Sequence, residues 1–170
     1  MKLQLSVRRL VYAALFCALA CAATLVIQIP LLTGYVHPGD AICLLSGFLL
    51  PGWSGVLAAA LGSSLADLAS GYAIYIPATF LAKGAVALLA QLLLRKISRG
   101  ADGRRMWLSA LVGGLVGEAA MVAVYFAYES LLYGVATAIL TIPGNAMQGA
   151  FGILLAIPLC CTLKKRLPLE

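Results

Sequence analysis

From Leu10 to Ile29 the chain runs for about twenty residues without a charged side chain, the length a helix needs to cross a hydrocarbon layer roughly 30 Å thick. Similar runs recur to the end of the sequence, separated by short stretches of Gly, Pro and basic residues. In lipid an unsatisfied backbone N–H or C=O costs several kcal/mol, so each run must close its own hydrogen bonds as a helix. The composition extends this constraint to the whole chain. Of 170 residues, 63% are apolar, where a soluble domain has about 45–50%. The sequence therefore predicts an all-α integral membrane protein. It forms one transmembrane domain over residues 1–170, with the lipid bilayer as its solvent.

A net charge of +6 would point to nucleic acid in a soluble protein. Here the basic residues fall in three clusters that flank apolar runs: Lys2, Arg8 and Arg9; then Arg95, Lys96, Arg99, Arg104 and Arg105; then Lys164, Lys165 and Arg166. That is the positive-inside pattern, and it excludes nucleic acid as a partner. It predicts six transmembrane helices, with the N and C termini cytoplasmic, over residues 9–29, 40–50, 53–69, 77–94, 106–128 and 143–161. The outer segments 31–40, 70–77 and 129–143 contain no Lys or Arg, as this orientation requires. The second span is short for a perpendicular crossing. Segment 30–40 holds two Gly and two Pro, which argue against regular structure there. The first apolar run exceeds the roughly 7–15 residues of a signal-peptide core, so it reads as a retained span.

Several familiar chemistries find no support. The sequence has no GxxxxGK[ST] phosphate loop, no HExxH and no Gly-x-Ser-x-Gly, so an enzyme is not indicated. The five cysteines lack a CxxC spacing, and there is one His, which leaves no zinc site and no cofactor to expect. No internal repeat is evident, which disfavours an inverted-repeat transporter.

What remains is a set of polar residues at depth, where each charge costs roughly 2.5–3.5 kcal/mol on insertion scales. Asp67 lies near the outer end of the third span, and Lys83 lies about 9 Å below Pro77 in the fourth. The two read as an ion pair that pins the helices. Glu118 falls near mid-bilayer, and Asn145 and Gln148 fall in the first turns of the last span. All sit in the outer half or at the midplane, which predicts a pocket open to the outside. Tyr72, Tyr75, Tyr125 and Tyr128 are interfacial belt residues or stacking walls for a ring. Small residues recur at helical spacing in Ala14, Ala18 and Ala22, in Ala58, Gly62 and Ala66, and in Gly113 and Gly117. Such stripes let helices approach closely, within the chain or against a partner.

Taken in order, the Ala14/Ala18/Ala22 stripe, GYVHPGD, GSSLADLASGY, PATFLAKG, Gly117-Glu118 and IPGNAMQG are familiar as a set. The chain resembles the substrate-binding S components of energy-coupling factor (ECF) transporters, in the group that includes riboflavin-type and related vitamin carriers. The resemblance implies a six-helix bundle in a prokaryotic cell membrane. It implies high-affinity capture of a small vitamin-like heterocycle from outside, as the substrate-specific subunit of an ATP-driven importer. The implied partners are a transmembrane coupling protein, docked on Ala14, Ala18 and Ala22, and two cytoplasmic ATPases that hydrolyse the ATP. It carries the binding role to Tyr35, His37, Asp40, Lys83, Glu118, Tyr125, Asn145 and Gln148. Carboxylate, ammonium, amide and phenol groups suit a B6 vitamer or hydroxymethylpyrimidine first and riboflavin next. The alternatives are a self-sufficient proton-coupled secondary transporter, with Glu118 as relay, and a ligand-free membrane scaffold.

Overall fold

The computed structural model describes residues 7–30, 35–98 and 103–164, with the side chains of 35 and 36 outside that description. Six helices follow in order: α1 Val7–Val26, α2 Gly39–Leu49, α3 Trp53–Ala69, α4 Ile76–Ser98, α5 Arg104–Tyr133 and α6 Val135–Leu163. A 3-10 turn at Ala73–Tyr75 precedes α4. Segment 30–40, expected to be irregular, contributes to one short antiparallel pairing of β1 (Ile29–Pro30) with β2 (Tyr35–Val36). Among the described residues, four helical stretches are long and apolar enough to cross a membrane: α1, α4 with its leading turn, α5 and α6.

The short second helix owes its role to burial. At eleven residues, α2 rises only about 16 Å. Every residue in it except Ile42 is buried, and it packs against α1, α3, α4 and α6. A helix that is apolar all round belongs in a core. α2 is thus an inner helix of the bundle, enclosed by α1, α3, α4 and α6. The outer faces of the longer helices carry exposed Leu57, Leu61, Leu65, Leu115 and Leu154, a surface suited to lipid.

Backbone contact at small residues sets the spacing between helices. A Cβ on Gly47 of α2 would lie 2.4 Å from the Ala87 carbonyl oxygen of α4. Gly62 of α3 meets the Cys17 carbonyl of α1 in the same way. The Ala58/Gly62/Ala66 stripe is therefore used inside the chain. Ala14, Ala18 and Ala22 are not: all three are exposed.

The connections define two ends. At one end Arg9 lies across a groove from Pro51 and Trp53, Arg105 donates to the Ile97 carbonyl at 3.1 Å, and Cys161 approaches Arg104. The described basic residues Arg8, Arg9, Arg95, Lys96, Arg104, Arg105 and Lys164 all belong to this end. Lys2, Arg99, Lys165 and Arg166 lie outside the described residues. At the other end Gln28 donates to Ser70 at 2.8 Å, and Glu129 joins α5 to α6 and the 3-10 turn.

The sequence reading placed a loop at 129–143, and the structure corrects it. α5 runs on to Tyr133, α6 begins at Val135, and a single Gly134 with φ of 86° turns the chain between them. Pro143 sits inside α6 rather than at its start. Within membrane bundles neighbouring groups compensate the hydrogen bond that proline removes, so Pro143 is a poor boundary signal.

If this packing sets stability, Gly47→Val should cost about 1–3 kcal/mol by forcing α2 from α4. Leu65→Ala, on an exposed face, should leave the unfolding midpoint in mild detergent nearly unchanged. Equal shifts for both variants would contradict the placement of α2.

Candidate functional site

Helical spacing assembles the site. Thr79 and Lys83 share one face of α4, as do Glu118, Met121 and Tyr125 on α5, and Asn145, Gln148, Gly149 and Gly152 on α6. These faces converge on Asp40 in the first turn of α2. Lys83 Nζ donates to Asp40 Oδ1 at 2.5 Å, and both side chains are wholly buried. Gln148 Nε2 donates to Asp40 Oδ2 at 2.8 Å. Lys83 Nζ also lies 2.9 Å from Met121 Sδ and 5.5 Å from the Tyr125 ring centroid. The α6 backbone can approach because Gly152 has no side chain; a Cβ there would lie 2.9 Å from Asp40 Cβ.

Gln148 ties this core to the segment above it. Its Oε1 accepts the His37 N–H at 2.9 Å. His37 Nδ1 accepts the Gly39 N–H at 3.1 Å and lies 3.3 Å from Thr24 Oγ1 on α1. Burial pushes the His37 imidazole down to about 3; the Lys83 charge adds to this, and Asp40 opposes it. The ring is accordingly neutral at physiological pH, as an accepting Nδ1 requires.

The ion pair expected between Asp67 and Lys83 is replaced by the Asp40–Lys83 pair. Lys83 points toward α2 and α5, while Asp67 belongs to the last turn of α3, where its carbonyl accepts the Tyr72 N–H at 2.8 Å. Nearness in sequence favoured the wrong carboxylate.

Other expected site residues are distributed around the pair. Tyr125 is buried, and its hydroxyl meets Thr79 Oγ1 at 2.9 Å. Asn145 is buried on the Gln148 face of α6. Glu118 is 5% exposed, and neither of its oxygens finds a hydrogen-bond donor among the described residues. Gly149 stands directly opposite, where a Cβ would lie 2.8 Å from Glu118 Cβ. The side chain of Tyr35 lies outside the described residues.

A second polar group was missed from sequence. Glu129, which falls in the segment 129–143 expected outside the membrane, is buried. It accepts from Tyr75 at 3.2 Å and from Thr141. Tyr128 donates to the Ile74 carbonyl. Tyr75 lies 6.5 Å from Tyr125 and 6.1 Å from Tyr128, ring centre to centre, so the tyrosines form a wall beside the site. Glu129 lies four residues after Tyr125, one helical turn along α5, and that spacing was the available signal.

These features define a membrane protein with an apolar shell, a basic end and a buried polar site toward the opposite end. The chain belongs to the family of ECF-type riboflavin transporter S components, whose model matches residues 4–165. A solved structure, that of the S component of a bacterial ECF transporter, has the same fold. It shares 21% identity with a TM-score of 0.70, and the match covers 95% of this chain and 98% of that one. No curated protein matches this chain significantly.

Two measurements check the geometry. Asp40→Asn or Lys83→Met alone should cost about 3–5 kcal/mol by leaving a buried charge unpaired, and the double variant should cost less than the sum. Additive losses in detergent unfolding would contradict the pair. For His37, whose folded value lies below its unfolded 6.5, stability is fully present above pH 6.5 and falls with acidification. At pH 5 the loss should reach about 2 kcal/mol, at about 1.36 kcal/mol per unit, and His37→Asn should flatten that part of the unfolding-midpoint profile.

Proposed function

We propose that this protein captures a small vitamin-like heterocycle from outside the cell. It does so as the substrate-specific subunit of an ATP-driven importer in a prokaryotic plasma membrane. The observation that carries this reading is Glu118, a buried carboxylate with no hydrogen-bond partner on either oxygen among the described residues, with Asn145 buried on α6 and the mutually satisfied Asp40–Lys83–Gln148 core nearby. An unpaired buried polar group costs about 1–3 kcal/mol, which a ligand of matching chemistry would recover. Family membership supports the transport role.

In this reading six helices form one transmembrane domain over residues 1–170, with both termini cytoplasmic. The basic end faces inward, as the positive-inside rule favours, and the site faces outward. Asp40, Lys83, Gln148 and His37 hold the pocket in shape. Glu118 and Asn145 contact the ligand, with Tyr125 as a wall, and Tyr35 belongs to the same binding set. The partners are a transmembrane coupling protein and two cytoplasmic ATPases. The exposed Ala14/Ala18/Ala22 stripe supplies the docking face. It borders a groove of about 540 Å³ between α1 and α3, lined by Leu10, Ala14, Leu57 and Leu61 among others.

The first choice of ligand is a substituted pyridine or pyrimidine, such as a B6 vitamer or hydroxymethylpyrimidine, whose ring and hydroxyl or amine groups match a carboxylate, an amide and tyrosines. A second reading, riboflavin, is favoured by the family's description. Calorimetric titration of the purified chain with these compounds tests both. Binding by one of them supports the reading. Failure of all three, with uptake by the lone chain in liposomes under a proton gradient, would favour a secondary transporter. Failure of binding and uptake together would favour a scaffold. Ala14→Leu with Ala18→Leu should abolish recovery of the coupling protein in pull-downs and leave ligand affinity unchanged. Full recovery would refute the docking assignment.

A further inference from the structure

The charge count of the site bears on which ligands it accepts, an inference that rests on the capture reading above. Two carboxylates and one ammonium meet in the bundle. The ammonium of Lys83 is held by Asp40 at 2.5 Å. Glu118, one turn before Met121 on the same face of α5, has no hydrogen-bond partner on either oxygen among the described residues. The groups facing this cluster are Asp40 and Cys43 from α2, Lys83 from α4, Tyr125 from α5, Gln148 from α6 and His37 from the loop. His37 is neutral, and the remaining described Lys and Arg residues belong to the opposite end of the bundle. Lys83 is committed to Asp40, so Glu118 can hold a charge here only when a further cation pairs with it. A buried charge of that kind is far costlier than one in water unless it is paired.

We infer that the missing positive charge is brought by the ligand: the site selects heterocycles bearing a protonated amine, with Glu118 accepting the charged hydrogen bond. The side chains place this contact well. Gly149 leaves the α6 side of Glu118 without an intervening side chain. Asn145, one turn earlier on the same face of α6, offers an amide with donor and acceptor capacity. Asp40 already accepts from Lys83 on one oxygen and Gln148 on the other, whereas Glu118 has no donor on either, so Glu118 is the carboxylate left to discriminate. Hydrogen bonds to charged groups exceed neutral ones by enough to separate matched ligands by roughly 10–100-fold.

The test uses the full chain in mild detergent and two matched probe pairs. These are pyridoxamine against pyridoxine, and aminomethylpyrimidine against hydroxymethylpyrimidine, with riboflavin as a neutral reference. In titration calorimetry the amine of at least one pair should bind about 10–100-fold more tightly than its hydroxyl counterpart. Glu118→Gln should bring that ratio close to one. Glu118→Asp, which keeps the charge, should retain the amine preference. Tighter binding of riboflavin or of the hydroxyl members, or a ratio unaffected by Glu118→Gln, would overturn the inference and leave vitamin capture standing. Binding of none of the five probes would count against the capture reading and this inference together.

Discussion

A buried ion pair between Asp40 and Lys83 governs how this bundle is built. Two charges removed from water cost several kcal/mol each, and their attraction compensates only with good geometry and further hydrogen bonds. Both conditions shape the surrounding chain. Asp40 opens the inner helix α2, where the positive end of the helix dipole favours a carboxylate. Gln148 occupies its second oxygen. Gly152 lets α6 close over it, and Gly47 brings α2 against α4, which carries Lys83. The pair is therefore both a cost and a constraint: only one arrangement of α2, α4, α5 and α6 satisfies it. A short helix that is too brief to span a bilayer unaided thereby becomes a core element of the fold.

Much of this was legible in the sequence, because lipid leaves few options. Apolar runs and basic flanks gave the six helices and their approximate limits, and depth along each helix singled out Lys83, Glu118, Asn145 and Gln148, all of which are buried. The partner of Lys83 was not legible. Asp67 is closer in sequence, and which face of α4 meets α2 depends on packing between helices far apart in the chain. Glu129 was misplaced for a related reason. A carboxylate followed by a loop-like stretch reads as surface, and only the tight turn at Gly134 folds α6 back so that Thr141 reaches it. Pro143 reads as a helix start by local rules, yet it lies within a helix whose neighbours compensate it.

The small-residue stripes show how identical spacing serves different ends. Ala58, Gly62 and Ala66 bring α3 onto α1. Ala14, Ala18 and Ala22, one face over on α1, remain uncovered. In a membrane, apolar surface alone drives little association, so a flat exposed stripe has value when another helix can approach closely. The protein thus separates its two tasks by location. Ligand chemistry sits in the polar interior between α2, α4, α5 and α6, and the face proposed for the partner lies on α1, outside it.

The most direct test of this account is native mass spectrometry of the purified chain incubated with a mixed pool of water-soluble vitamins and their precursors. The account predicts a one-to-one adduct with a single small heterocycle, present in the wild-type protein and lost in Asp40→Asn. An adduct that survives Asp40→Asn at full occupancy would contradict a site organised around the Asp40–Lys83 pair. The absence of any adduct would contradict the binding role itself.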